Sequence, residues 1–374
     1  MADIAQPTPL PKPKASLRGW RNRLVASRKF QKWAARFPLT RGKAKREGEE
    51  IFDLVAGFVN SQILMALVEL DILKALFKRP MTTAELAALT SVPENRMGVL
   101  LRGGVALHLL AQKRDTHQLT QKGAALLGVP GLDQMIRHHR VLYRDLQDPT
   151  AFMRDETETE LAGFWPYVFG AGAAEDPHIA DTYSQLMADS QQLVAEDTLR
   201  MVSFKDVDHL LDVGGGTGAF LAEVGAAYPT LPVTLFDLPA VVPAAAARFA
   251  EAGMRNRATI EAGSFRDDPL PVGADTISLI RVLYDHADDT VAALLSKCFD
   301  SLPAGGRLVI SEPMLGCRAG DTYFAFYTLA MRTGRARSAG EIAQMCRNAG
   351  FLQVEQPKPP RAFVTSAVVA TKAV

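Results

Sequence analysis

The stretch Leu210-Leu211-Asp212-Val213-Gly214-Gly215-Gly216-Thr217-Gly218 decides how this chain is read. A short, mostly apolar strand runs into three consecutive glycines, and a helix is predicted from about Ala219. Glycine suits such a bend because a side chain would keep a ligand from the backbone N–H groups and the helix N-terminus. The bend alone does not choose its ligand, since Gly214-x-Gly216-x-x-Ala219 also fits a dinucleotide fingerprint.

The neighbours choose. Asp212 sets a carboxylate just before the bend, where it would repel a pyrophosphate and attract a cationic amine. That favours S-adenosylmethionine over a nicotinamide dinucleotide. Asp237, in Phe236-Asp237-Leu238-Pro239, closes the next strand and offers two oxygens to a pair of ribose hydroxyls, with capping of a helix as the plainer role. Gly263-Ser264-Phe265 ends the third strand and puts a small polar residue and a ring where an adenine would lie.

Working outward, strands are predicted at 209–213, 232–237, 258–262, 275–283 and 306–312, each followed by helix. They read as a parallel doubly wound sheet. Strands 351–356 and 363–371 are close enough to form a hairpin that inserts one antiparallel strand at the sheet edge. Upstream, residues 131–204 read as a helical linker and substrate region carrying His138, His139, Tyr143, Phe164, Trp165, Tyr167, Tyr183 and Met187. Residues 49–77 are apolar on almost every side, which implies cover by a partner chain. Thr82 or Thr83 caps a short helix, Pro93 opens a second running to about Leu110, and 118–120 forms a strand, together a winged helix. Its second helix offers mainly Arg96 and Arg102 among apolar residues, too little polar reach for a DNA groove, so the module over 47–130 reads as a dimerisation platform.

Residues 1–46 hold thirteen Lys and Arg against Asp3 alone, a local +12 in a chain whose net charge is +1. The rest therefore carries −11 and is a poor partner for nucleic acid. Within that arm, Ala26, Phe30, Trp33 and Phe37 recur at helical spacing, so 18–37 reads as one basic amphipathic helix. It is suited either to an anionic membrane surface or to docking on the protein's own body. The start, with Pro7, Pro9, Pro11 and Pro13, lacks the apolar core of a secretory signal, and no apolar run is expected to reach the roughly 18 residues of a membrane-spanning helix. A cytoplasmic protein is expected, peripheral on a membrane if the arm binds lipid. Three cysteines without metal or disulfide spacing read as reduced thiols. With 374 residues, 48% of them hydrophobic and 22% charged, the composition is ordinary globular and fits two or three domains.

These motifs resemble the class I S-adenosylmethionine-dependent O-methyltransferases that join a winged-helix dimerisation domain to a Rossmann-like α/β domain, here 205–374. The resemblance covers 49–374 and rests on the 212–218 bend, Phe236-Asp237-Leu238-Pro239, Arg281-Val282-Leu283-Tyr284-Asp285 and Ser311-Glu312, in the family's order. It implies a homodimer and adds Arg281 to the cofactor-binding set of Asp212, Gly214, Gly216, Asp237, Leu238, Ser264 and Phe265. Segments such as Arg137-His138-His139, Gly163-Phe164-Trp165-Pro166-Tyr167 and Tyr323-Phe324-Ala325-Phe326-Tyr327 look like the carotenoid O-methyltransferases of purple phototrophic bacteria. That likeness implies a hydroxycarotenoid acceptor, methylated at a tertiary C-1 hydroxyl. The aromatic residues of 164–187, with Met187, Tyr323, Phe324, Phe326 and Tyr327, would line a long apolar pocket or serve as plain core.

The chain departs from the family at its general base. The family histidine is replaced by Tyr284, a flanking glutamate is kept as Glu312, and the second glutamate falls at Ala336. Two groups are expected to handle the proton: His286, or Tyr284 backed by Glu312. His138 and His139 are weaker candidates, because adjacent helix residues point to different faces. The alternatives are a methyltransferase of another apolar acceptor (polyketide, quinone or tetrapyrrole), a cofactor-sensing protein without catalysis, and a nicotinamide oxidoreductase.

Overall fold

The computed structural model describes residues 17–164 and 190–374, which fall into two compact units. One contains the chain up to Leu70 together with Met81–His117, and the other contains Asp71–Pro80 with Gln118–Val374.

The first unit begins with α1 (Leu17–Ala26) and α2 (Arg28–Arg36), where the pattern had predicted one helix. Ser27 causes the break: its backbone is extended, and its hydroxyl accepts the Phe30 N–H at 3.2 Å, so it caps α2 instead of continuing α1. Next comes α3 (Arg41–Glu69), which starts before the predicted residue 49 and stops at Leu70. The following residue, Asp71, has φ 50° and redirects the chain into α4 (Ile72–Lys78) of the second unit. Along α3, Ile51, Phe52, Leu54, Val55 and Phe58 are exposed, whereas Met65, Leu67 and Val68 near its end are buried. Against the expectation that no apolar run reaches that length, α3 is long and apolar enough, by length and composition only, to cross a membrane. After β1 (Met81–Thr82), a capping box between Thr82 and Glu85 starts α5 (Thr83–Thr90), and α6 (Glu94–Ala106) follows Pro93. Strands β2 (Leu110–Lys113) and β3 (Thr116–Leu119) complete a three-stranded sheet in the order β1-β3-β2, the wing.

In the second unit α7 (Gln121–Leu127), α8 (Leu132–Asp145), α9 (Pro149–Met153) and α10 (Glu160–Phe164) precede a helical stretch at 190–201. Then come the sheet strands β4 (Leu210–Val213), β5 (Val233–Asp237), β6 (Ala258–Ala262), β7 (Thr276–Ile280), β8 (Arg307–Glu312), β9 (Gln353–Glu355) and β10 (Ser366–Thr371). Their order is β6-β5-β4-β7-β8-β10-β9. The five strands β4–β8 are parallel, and β10 slots between β8 and β9, antiparallel to both. Side chains alternate across the sheet. Leu211, Val213, Ile277, Leu279, Leu308 and Ile310 join a core with Leu294, Ile342 and Phe351. Their neighbours Leu210, Val233, Leu235, Ile280 and Val309 join a second core with Phe220, Val224 and Phe249. With both faces covered, the parallel strands read as continuous apolar runs. The order reverses at β4, so β5 and β7 diverge there, and a crevice for ligands opens beyond the C-terminal ends of the strands.

Candidate active site

The crevice begins at the end of β4. Asp212 is fully buried; its Oδ1 accepts the Ser278 hydroxyl at 2.6 Å, and its Oδ2 is buried without a partner among the described residues. Burial pushes this carboxyl up to about 7, reinforced by the nearby Asp237. A buried carboxylate oxygen with nothing to bond is a site for a cation or a donor. Two glycines shape the bend beside it. Gly214 has φ +71°, and a Cβ there would press on Val282 at 3.0 Å; a Cβ on Gly215 would collide with Asp212 Oδ2 itself.

Asp237 ends β5 and grips the bend: its Oδ2 accepts the Gly216 N–H at 2.6 Å and its Oδ1 the Leu238 N–H at 2.7 Å. Burial moves its carboxyl upward despite those two bonds. Each oxygen keeps one lone pair, so the carboxylate can hold the loop and still accept a pair of hydroxyls. Ser264 is committed locally, donating to Asp267 at 2.8 Å and accepting from the Arg266 N–H at 3.2 Å. The Phe265 ring lies edge-on to His286, with centroids 5.2 Å apart.

The turn after β7 forms the other wall. The predicted strand 275–283 stops at Ile280 because Arg281 takes φ +59°, a left-handed conformation costly for a residue with a Cβ. The Arg281 guanidinium reaches Ser190 Oγ at 2.8 Å and the Tyr284 hydroxyl at 3.5 Å. A 3₁₀ turn, Leu283–Asp285, follows. It is clamped from two sides. Glu312 Oε2 accepts the N–H groups of Leu283 and Tyr284 at 2.9 and 3.1 Å. The fully buried Arg337 donates to the carbonyls of Leu283 and His286 at 2.8 and 2.9 Å and to Asp288 at 2.6 Å. Glu312 is pushed up to about 7 by burial, and Asp285 well above the carboxylate range for the same reason. Each keeps one buried oxygen without a partner among the described residues.

Tyr284 is buried in this turn, and desolvation raises its phenol further from ionisation. His286, two residues on, is turned elsewhere. Its Nδ1 lies 3.0 Å from Arg266 Nη2, and burial with the charges of Arg266 and Arg337 lowers it to about 4. Arg337 fixes the His286 carbonyl and Arg266 occupies Nδ1 of its ring, so that nitrogen is not open to an acceptor proton. The kept glutamate acts on backbone, bonding the Leu283 and Tyr284 N–H groups.

Two residues that the sequence ranked low are brought in. His138 Nε2 lies 3.0 Å from the Tyr327 hydroxyl, and His139 Nε2 lies 2.8 Å from the Tyr323 hydroxyl. Neighbours on α8 do diverge, but Tyr323 and Tyr327 sit on one segment and meet both. Of the other expected pocket residues, Phe326 is partly exposed and stacks on Phe152 at 6.1 Å, and Phe324 packs edge-on to Tyr323 at 4.9 Å. Phe164 is the last residue of α10, whereas Trp165, Tyr167, Phe169, Tyr183 and Met187 lie outside the described residues. Arg337 is the residue that sequence reasoning missed; nothing in Arg335-Ala336-Arg337 says which arginine turns inward.

A glycine bend at the switch point of a mostly parallel seven-stranded sheet, with β10 inserted antiparallel, defines the class I methyltransferase fold. The chain belongs to the O-methyltransferase family: residues 143–352 match its O-methyltransferase domain, and residues 52–127 match the O-methyltransferase dimerisation domain. It is 56% identical over 355 residues to demethylspheroidene O-methyltransferase of Cereibacter sphaeroides, covering 94% of each chain. To the enzyme of the same name from Rhodobacter capsulatus it is 51% identical, over 94% of this chain and 88% of that one. Human N-acetylserotonin methyltransferase, solved in complex with SAM, shares the fold with a TM-score of 0.76 and 24% identity, over 88% of this chain and 98% of that one.

Proposed function

We propose that the protein transfers a methyl group from S-adenosylmethionine to the tertiary C-1 hydroxyl of an acyclic hydroxycarotenoid. The supporting observation is the 56% identity to a demethylspheroidene O-methyltransferase along 94% of the chain. The Asp212 oxygen left without a partner suits the cationic methionyl ammonium of that cofactor, and Asp237 suits its ribose hydroxyls. Gly214 and Gly216 let the cofactor approach the backbone, while Leu238, Ser264, Phe265 and Arg281 border the same crevice.

When bound, the cofactor supplies a methyl already activated on a sulfonium, so the chain's main tasks are in-line alignment and exclusion of water. The clamped 283–286 turn holds Tyr284 at the end of β7, where its hydroxyl donates to the acceptor oxygen and orients it. Glu312 keeps that turn in place. A phenol moved further from ionisation orients better than it deprotonates.

The dimerisation domain supports a homodimer in which the exposed apolar face of α3 meets a second copy. The arm supports peripheral membrane contact. Residues 17–46 carry eleven Lys and Arg and no acid, with Trp20 and Trp33 exposed beside them. Such contact suits an enzyme whose acceptor, an apolar polyene, dissolves in lipid, and fits a cytoplasmic protein peripheral on the membrane.

Purified protein, labelled S-adenosylmethionine and a 1-hydroxy acyclic carotenoid in detergent should give a labelled methyl ether in mass spectrometry. Turnover of a polyketide, quinone or tetrapyrrole alcohol with none of the carotenoid would replace the acceptor class and leave the cofactor reading intact.

A further inference from the structure

We propose that the hydroxyl proton of the acceptor is taken up by Tyr323, with His139 behind it, in place of the family's histidine. The inference rests on the methyl-transfer reading above and concerns a different segment from Tyr284.

Three observations carry it. First, the Tyr284 hydroxyl faces the Arg281 guanidinium, a group with donors and no acceptor, so it has nowhere to pass a proton in that direction. Glu312, its expected partner, holds the backbone of the turn through Oε2, and among the described residues its other oxygen makes no hydrogen bond to the Tyr284 hydroxyl. Second, the Tyr323 hydroxyl lies 2.8 Å from His139 Nε2, a phenol–imidazole pair of hydrogen-bonding length. His138 and Tyr327 repeat the pairing at 3.0 Å, but Tyr327 is buried and Tyr323 is only half-buried. The helix Ala325–Met331 that continues from Tyr323 packs against the Leu283–Asp285 turn, on the side of the crevice that this turn walls. Third, Tyr323 sits in a π-helical turn, Gly320–Phe324, directly ahead of the α-helix Ala325–Met331. Such turns are rare and concentrate at functional sites.

The step balances as follows. The acceptor oxygen forms a bond to the methyl carbon as the carbon–sulfur bond breaks. The acceptor's proton passes to Tyr323 Oη as the phenolic proton passes to His139 Nε2, leaving an imidazolium that releases its proton to solvent with product. Tyr323 is the catalytic residue, and His139 is a positioning residue that acts through it.

The test measures kcat against pH, with calorimetric cofactor affinity, for wild type, Tyr323→Phe and His139→Ala. His139 must be neutral to accept, and burial lowers it from the ordinary 6.5, so wild-type kcat should fall only at pH below that value. Both variants should lose about ten-fold or more in kcat and lose the acid limb, with unchanged cofactor affinity, and the double variant should be no worse than either. Added imidazole should restore turnover to His139→Ala. An unchanged acid limb in either variant, or loss of turnover without imidazole rescue, overturns the proposal while wild-type methylation stands. A wild type that methylates no hydroxycarotenoid overturns it together with the acceptor reading.

Discussion

The two walls of the crevice are built differently. The wall at β4 and β5 comes largely from one short run of sequence: Asp212, the glycines and the helix Ala219–Ala227 are contiguous, and Ser278, Asp237 and Arg248 bond to it from elsewhere. The wall at β7 is assembled from four separate pieces: the 281–286 turn, Glu312 at the end of β8, Arg337, and the Tyr323–Tyr327 segment facing α8. The first wall is a local motif and stands or falls as one. The second is a set of long-range clamps, each of which should be removable at partial cost.

The largest effect should come from crowding the local wall. Gly215→Val would drive its side chain into the Asp212 carboxylate and Leu235, and should abolish cofactor binding in calorimetry while lowering the melting temperature. Removing one clamp of the other wall is the contrasting case. Arg337→Ala strips two buried carbonyls of their donor, at about 1–3 kcal/mol each, and should raise the KM of the acceptor with cofactor affinity nearly unchanged. Equal loss of both affinities would show that the walls are coupled.

Asp212→Asn tests the local wall by charge alone. It keeps a partner for Ser278 and removes the negative charge, so cofactor affinity should fall about 100-fold, the loss of roughly 2.7 kcal/mol. Without ligand the sign reverses. A carboxyl raised to about 7 in the folded state gives stability present below its unfolded value near 3.8 and lost as pH rises through 7. The stability of wild type relative to Asp212→Asn should therefore decline from pH 4 to pH 7 in thermal melts, and a flat difference would mean Asp212 is not buried as a neutral acid. Tyr284→Phe should be milder, a few-fold in kcat, since it removes an orienting hydroxyl and leaves both clamps. The smallest effect on solution chemistry belongs to the arm. Trp33→Ala should leave turnover in detergent unchanged and weaken flotation with anionic liposomes, whereas neutral liposomes should bind neither protein.

Much of this was legible in the residues. Five parallel strands were placed within a few residues, because period-two alternation had given way to buried apolar runs between turn residues. The helix predicted over 18–37 divides at Ser27, since the aromatic spacing crosses the break undisturbed and hides the cap. The strand predicted through Leu283 ends three residues early, since Val282 and Leu283 look like strand and only the φ of Arg281 shows the turn. His286 was ranked by its side-chain chemistry, and Nδ1 of its ring is taken by Arg266. His138 and His139 were ranked low by helix geometry, which says nothing of what a facing helix presents.

The sequence by itself determined the donor side of this protein. A glycine bend, its preceding aspartate and the alternation of strand and helix act through neighbours along the chain, where residue type fixes the backbone directly. The acceptor side was decided by tertiary structure alone. Which arginine is buried, which glutamate oxygen holds a backbone turn, and which phenol meets an imidazole depend on contacts between segments from 28 to 184 residues apart, and burial sets the charge state of each group only once those segments pack.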